Sequence, residues 1–338
     1  MKIVIDVPTD QPGLDELGKL GQIEIAHFDW PEAEAPSRVL EPARIRDANA
    51  LFCSSPPVNL EEMKALRWIQ ISSVGYAQLI GRGLVERRIR ATNCRGCLDV
   101  PIAEWNLSMM VNLARNLRQM IRNQEGAVWD RSAVFQAEIR GRTVGFWGYG
   151  GIGRETARLA RQMGMPIHVL VRNGVHPRRD LYAVPGTGDP DGVLPDRVFS
   201  SGEELDFLRG LDFLIVAMPL TPATKGLIGE RELQALPRTA YLLNPARGPI
   251  VQEAALLRAL RENWIAGAAL DTHYQYPLPP DHPLWRFSNV ILTPHISGAA
   301  DNHRFQERLW DLFVKNVERF SRDRPLLNEL TPEQLAGG

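Results

Sequence analysis

The sequence predicts an α/β fold built of parallel sheets with helices on both faces, in two domains. Three observations predict it. The chain has 338 residues, more than one compact core usually holds. Short apolar runs alternate with helical or loop segments along most of its length. Several of those runs are apolar on both faces, as strands covered from both sides must be.

The first hundred residues carry the runs KIVIDV, QIEIAHF, ALFC and RWIQI, which predict a small parallel sheet. The pattern changes at Pro101. IAEWNLSMMVNLARNLRQMI repeats apolar residues at helical spacing (Ile102, Trp105, Met109, Leu113, Leu117, Met120), and Pro101 suits a first helical turn. Arg115, Arg118 and Arg122 recur along the same stretch and read as its solvated face. A second series of six strands follows: TVGFWG (143–148), IHVLV (167–171), DFLIVA (212–217), AYLLN (240–244), AGAAL (266–270) and VILT (290–293). Helical segments such as ETARLARQMG and QEAALLRALREN separate them, which predicts a doubly wound sheet. Residues 173–197, rich in Gly, Pro and Asp, read as an exposed loop. Residues 303–321 form a last helix that returns to the first domain.

Hydrophobic residues make up 44 % of the chain, and the net charge of −1 gives no electrostatic reason to expect a nucleic-acid or membrane partner. No apolar run reaches the roughly 18 residues that would span a bilayer. MKIVIDV opens as a strand and not as a cleaved leader, so the expectation is a soluble cytoplasmic protein. The three cysteines, Cys53, Cys94 and Cys97, do not make a secreted disulfide framework. Cys94 and Cys97 form a CxxC with no second pair and read as small side chains in a loop, with no metal site expected.

TVGFWGYGGIGRETARLARQMG places Gly148, Gly150 and Gly153 between a strand and a helix. The first glycine permits a tight turn, the second lets the backbone approach a pyrophosphate, and the third lets helix and strand pack closely. The helix N-terminus adds free amides and a positive dipole end. The reading is a dinucleotide site. In an NAD site the next strand ends in an acid about 20 residues on, for the ribose hydroxyls. Here it ends in Val171, Arg172 and Asn173, with Arg178 and Arg179 close behind. A 2′-phosphate needs cations and donors, so NADP is favoured over NAD; the alternative is that Arg172 stacks on adenine and accepts either.

Several motifs in order resemble the D-isomer-specific 2-hydroxyacid dehydrogenase family: NPARGPIVQEAALLRAL, GAAL followed by Asp271, NVILTPHISG, PLTPATKGLIGERELQALP and PLLNEL. The resemblance implies a doubly wound (Rossmann) NAD(P)-binding domain, residues 101–298, inserted into a smaller flavodoxin-like substrate domain, residues 1–100 and 299–338. It implies an oxidoreductase that moves hydride between a nicotinamide cofactor and a small 2-oxoacid or D-2-hydroxyacid, working as a homodimer. It gives Arg247 the substrate's carboxylate and carbonyl, and His295 the acid–base role. Asp271 would lie near the nicotinamide end. The remaining cofactor contacts fall on Gly151, Ile152, Pro219, Pro245, Ala246 and Gly298. SSVGY resembles a loop whose amides bind the substrate carboxylate, which implies Val74 and Gly75. After it, where the family often has an acid, this chain has Ala77 and Gln78.

One position departs at the chemistry. Counting from Asp271, the family's catalytic glutamate falls on Tyr276. A carboxylate beside an imidazole favours its protonated form, whereas a tyrosine hydroxyl offers a hydrogen bond without charge. The expected result is a His295 with a lowered pKa. Four readings stay open: a 2-oxoacid reductase with an acid-shifted pH profile; a dehydrogenase of a formate-like donor that needs no proton relay; a Tyr276 that itself donates a proton or touches substrate; or a ligand-responsive binding protein without catalysis. In FCSSPPVNLEEM (52–63), where some relatives carry an arginine for a second acidic group, Ser54 and Ser55 offer hydroxyls but no charge, which disfavours dicarboxylates and phosphorylated substrates. Tyr76, Trp30, His273 and Tyr274 fit either an aromatic pocket or plain packing.

Overall fold

A computed structural model describes residues 1–28, 38–132, 136–298 and 303–336; Trp30 lies outside them. The chain divides into two compact units. The first comprises Met1–Leu98, Asp180–Val184 and Ala300–Gly338, the second Asp99–Arg179 and Pro185–Ala299.

The first unit holds β1 (Lys2–Asp6), β2 (Glu24–His27), β3 (Ala50–Cys53), β4 (Trp68–Ile71) and β5 (Arg90–Thr92). They form one parallel sheet in the order β2-β1-β3-β4-β5, the flavodoxin-like arrangement. β3 and β4 are buried throughout, which their apolar runs require. The helix His303–Ser321 covers this sheet: Phe313 stacks on Phe52 with centroids 4.1 Å apart, and Trp310 meets Phe52 edge-on. β5, only three residues and led by an arginine, carried too little apolar pattern to be expected.

The second unit holds β6 (Val144–Trp147), β7 (Ile167–Val171), β8 (Arg197–Ser200), β9 (Phe213–Val216), β10 (Tyr241–Asn244), β11 (Gly267–Leu270) and β12 (Val290–Leu292). The parallel order is β12-β11-β10-β9-β6-β7-β8, so the chain reverses direction across the sheet between β6 and β9. Loops leaving the carboxyl ends of strands at such a reversal form a ligand crevice. The six expected strands are present, and β8 is a seventh. It is an edge strand with three of four residues exposed, which hid it from an apolar pattern.

Three local expectations are corrected. The helix from residue 99 ends at Ala114 and a second begins at Leu117, broken where Asn116 turns left-handed (φ 46°). Arg118, expected on a solvated face, donates to the carbonyls of Phe287, Val290 and Trp285. The segment 173–197 is not simply exposed: Tyr182 and Asp189 are buried within it. Tyr182 belongs to the first unit, its amide donating to Asn328 and its hydroxyl to Asp311. Cys53, Cys94 and Cys97 are all buried, and none of the three is in a disulfide.

Candidate active site

In the first unit, the residues assigned to the substrate lie in two loops that one side chain ties together. Gln78 donates to the Ser54 carbonyl at 3.1 Å and to the Ser73 hydroxyl at 2.8 Å. Asn93 holds the Val74 carbonyl at 2.6 Å, and the Ser73 hydroxyl caps the Gly75 carbonyl at 2.7 Å. With the carbonyls taken, the Val74 and Gly75 amides have no acceptor among the described residues. Open amides on a fixed turn suit a carboxylate. Gln78, the departure from the family pattern, is therefore the brace of this loop. The Ser54 and Ser55 side chains make no hydrogen bond among the described residues.

In the second unit, the glycine loop leaves β6 at the sheet's reversal. Gly148 has φ 94°, and a Cβ there would stand 2.6 Å from the Ala217 carbonyl oxygen, so only glycine fits. A Cβ on Gly150 would meet nothing within 4 Å, so this stretch of backbone faces open space. The helix Gly151–Gln162 begins there, and the amides of Gly151, Ile152 and Gly153 find no backbone acceptor among the described residues. This cradle fits a dinucleotide's phosphates. At the end of β7, Arg172 and Asn173 are exposed, and Arg172 makes no hydrogen bond or ion pair among the described residues.

The loop after β7 is bolted to the glycine helix by buried polar groups. The Tyr149 hydroxyl donates to Asp189 at 2.8 Å, and Asp189 also accepts the Val193 and Leu194 amides at 2.9 and 3.1 Å. Arg154 donates to the carbonyls of Tyr149, Asp189 and His176, the last at 2.7 Å. Glu155 accepts the Gly188 amide and a bidentate pair from Arg158. Burial and the Asp189 carboxylate push the Tyr149 phenol well above its ordinary pKa, which keeps it a donor.

The chemistry-bearing residues follow β10, β11 and β12. Asn244 ends β10 and accepts the amides of Ala246 and Arg247 at 3.1 and 3.2 Å while donating to the Arg247 carbonyl at 3.0 Å. That turn exposes the Arg247 side chain, whose Nη1 donates to the Ala246 carbonyl. Pro245 beside it is buried, whereas Pro219, after β9, is exposed. Gly248 is obligatory: a Cβ would lie 2.6 Å from the His273 backbone.

Asp271 leaves β11 fully buried, and its carboxylate carries the next loop. It accepts the Thr293 hydroxyl at 2.6 Å, the Ile296 amide at 2.9 Å and the Ser297 amide at 3.1 Å. His273 Nε2 meets the Thr293 carbonyl at 2.8 Å. His295 therefore sits between anchored neighbours, exposed, with a left-handed backbone (φ 59°) that a non-glycine residue adopts only when its surroundings impose it. Sequence reasoning gave Asp271 only to the cofactor and His273 only to an aromatic pocket or plain packing; that they hold the His295 loop required knowing which strands are neighbours.

Tyr276 does not hydrogen-bond His295. Its hydroxyl accepts the His273 amide at 3.1 Å, and the Tyr276 and His295 rings face each other at 5.5 Å, tilted by 48°. The Tyr276 side chain is mostly exposed. Partial desolvation and the Arg247 guanidinium lower the His295 pKa below the usual histidine value, with Asp271 opposing. Of the aromatic-pocket candidates, His273 is buried by its Thr293 bond, while Tyr274 and Tyr76 pack against hydrophobic cores.

Residues 107–297 match the family model of the D-isomer-specific 2-hydroxyacid dehydrogenase NAD-binding domain. A glyoxylate reductase of Thermofilum pendens is 33 % identical over 94 % of this chain and 90 % of its own length. Among solved structures, a D-isomer-specific 2-hydroxyacid dehydrogenase family protein of Aeromonas salmonicida shares the fold, with a TM-score of 0.77, 24 % identity and 98 % of both chains covered. An NADPH-dependent glyoxylate/hydroxypyruvate reductase of Sinorhizobium meliloti, solved with citrate, has a TM-score of 0.71 and 26 % identity over 99 % of this chain and 98 % of its own. With its nicotinamide dinucleotide-binding domain and a match along nearly its whole length, the chain belongs to the D-isomer-specific 2-hydroxyacid dehydrogenases, the NAD(P)-dependent oxidoreductases of 2-hydroxyacids.

Proposed function

We propose that the protein is an NADP(H)-preferring reductase of a small 2-oxoacid, with glyoxylate and hydroxypyruvate the first acceptors to try. The observation that carries this reading is the His295 loop: an exposed imidazole held by Asp271 and His273, within electrostatic reach of an exposed Arg247. A bound nicotinamide supplies the hydride. Arg247 holds the acid's carboxylate through its guanidinium fork. Protonated His295 gives its Nε2 or Nδ1 proton to the carbonyl oxygen as the alcohol forms. Tyr276 shields one side of the imidazole but brings no charge.

The cofactor preference rests on Arg172, a cation at the end of β7 with no hydrogen-bond or ion-pair partner among the described residues and no acid next to it in sequence. The names of the Thermofilum and Sinorhizobium relatives support glyoxylate and hydroxypyruvate, and the uncharged Ser54 and Ser55 fit acceptors with a single acidic group. A homodimer in the cytoplasm completes the reading. No helix among the described residues is long and apolar enough to cross a membrane.

The test is oxidation of NADPH and, separately, NADH with glyoxylate, hydroxypyruvate, pyruvate and phenylpyruvate at acid and neutral pH. Turnover of a small acceptor with NADPH, faster at acid pH, is the expected result. Turnover with NADH alone would overturn the cofactor assignment, and cofactor binding without turnover of any acceptor would overturn the reductase.

A further inference from the structure

Arg178 stands apart from the other basic residues of its loop. Its own amide is fixed to the Pro190 carbonyl at 2.8 Å, and the neighbouring His176 carbonyl is held by buried Arg154. Arg154 and Glu155 belong to the first turns of the glycine helix, so the loop carrying Arg178 is tied to that helix at both ends of its span. The consequence shows at Gly151. A Cβ on this residue would collide with the Asp99 carboxylate and come within 2.8 Å of Arg178 Nη1. Two side chains of opposite charge, one from the start of the Asp99–Ala114 helix and one from the loop after β7, thus converge on the first residue of the glycine helix.

We infer that Arg178 is a diphosphate-binding residue of the cofactor site, and that Asp99 is its counter-charge, competing with the ligand for it. The inference rests on the dinucleotide reading of the glycine loop. It separates two arginines of one loop by task. Arg172, exposed at the end of β7, is placed for the adenosine end, where NADP differs from NAD. Arg178 reaches the glycine loop, where both cofactors carry the same pyrophosphate. It supplies a cation there that the glycine loop's own amides do not, and Gly151 is small so that the guanidinium can approach. Asp99 keeps that cation neutralised, and a phosphate must outcompete the carboxylate to gain it.

The experiment is equilibrium binding of NADPH, NADH and ADP, followed by calorimetry, to the wild-type protein and to Arg178→Met, Arg178→Lys and Asp99→Asn. Arg178→Met should weaken all three ligands by a common factor of about ten and leave the NADPH to NADH ratio unchanged. Arg178→Lys should recover part of the loss. Asp99→Asn should tighten all three by a few-fold, a gain that misfolding cannot imitate. Weakening of NADPH alone would make Arg178 a reader of the 2′-phosphate and overturn the inference, as would unchanged binding in both Arg178→Met and Asp99→Asn. If the wild-type protein bound none of the three, the dinucleotide reading itself would fall, and the inference with it.

Discussion

Two loops of the nucleotide-binding unit follow parallel strands, and both hang on buried polar groups, but in different ways. The short loop after β12 hangs mainly on one carboxylate, Asp271, which takes the Thr293 hydroxyl and the Ile296 and Ser297 amides. The long loop after β7 is pinned separately by Tyr149, Arg154 and Glu155. The difference follows from what each must hold. His295 has to present one ring at one angle, from a left-handed backbone, so its neighbours are gathered on a single rigid anion. The β7 loop has to keep a distant cation near the glycine helix, and several weaker ties along the chain suffice. One loop is held mainly by a single group; the other is tied to its helix through three side chains.

The contrast breaks most visibly at Asp271. Asp271→Ala leaves a hydroxyl and two amides without their acceptor, which should cost about 3 kcal/mol in urea unfolding and lower kcat steeply. A variant that lost only cofactor affinity, with kcat and stability intact, would return Asp271 to the cofactor alone. A smaller effect is expected at the exposed end of the other loop. Arg172→Asp should lower the NADPH to NADH affinity ratio about tenfold without changing stability, because that side chain makes no hydrogen bond or ion pair among the described residues. Equal retention of both cofactors would sink the 2′-phosphate assignment. The smallest effect should come from removing one tie among several. Tyr149→Phe deletes the bond to Asp189 and should cost about 1 kcal/mol, measured by the same unfolding titration. A loss as large as that of Asp271→Ala would show that the long loop, too, depends on one group.

The same two loops mark where the sequence could be read and where it could not. The strands β6, β7, β9, β10 and β11 were legible because each is an apolar run largely buried on both faces, and β12, at the sheet edge, because its three residues are all apolar. The glycines were legible because local backbone needs dictate them. Arg247 and His295 stood in motifs next to strand ends. What stayed hidden was pairing across the sheet: that Asp271 would receive Ile296 and Ser297, or that Asp189 would receive Tyr149, depends on strand order and not on spacing. Gly, Pro and Asp made residues 173–197 look like a solvated loop, and composition carries no sign that Asp189 and Arg154 are buried. The tyrosine at 276 was visible as an anomaly, but its hydroxyl bond to the His273 amide was not.

That anomaly carries the central claim, that the proton for carbonyl reduction comes from a His295 whose pKa is lowered and which faces the Tyr276 ring instead of a glutamate. Reduction consumes the imidazolium, so activity should be full below the His295 pKa and fall as pH rises through it. The measurement is the pH profile of kcat/KM for NADPH-dependent glyoxylate reduction by the wild-type protein and by Tyr276→Glu. A carboxylate placed where the tyrosine ring faces His295 at 5.5 Å should move the descending limb to higher pH by about one unit. Coincident limbs in the two proteins would contradict the account, because they would show that residue 276 does not govern the proton on His295.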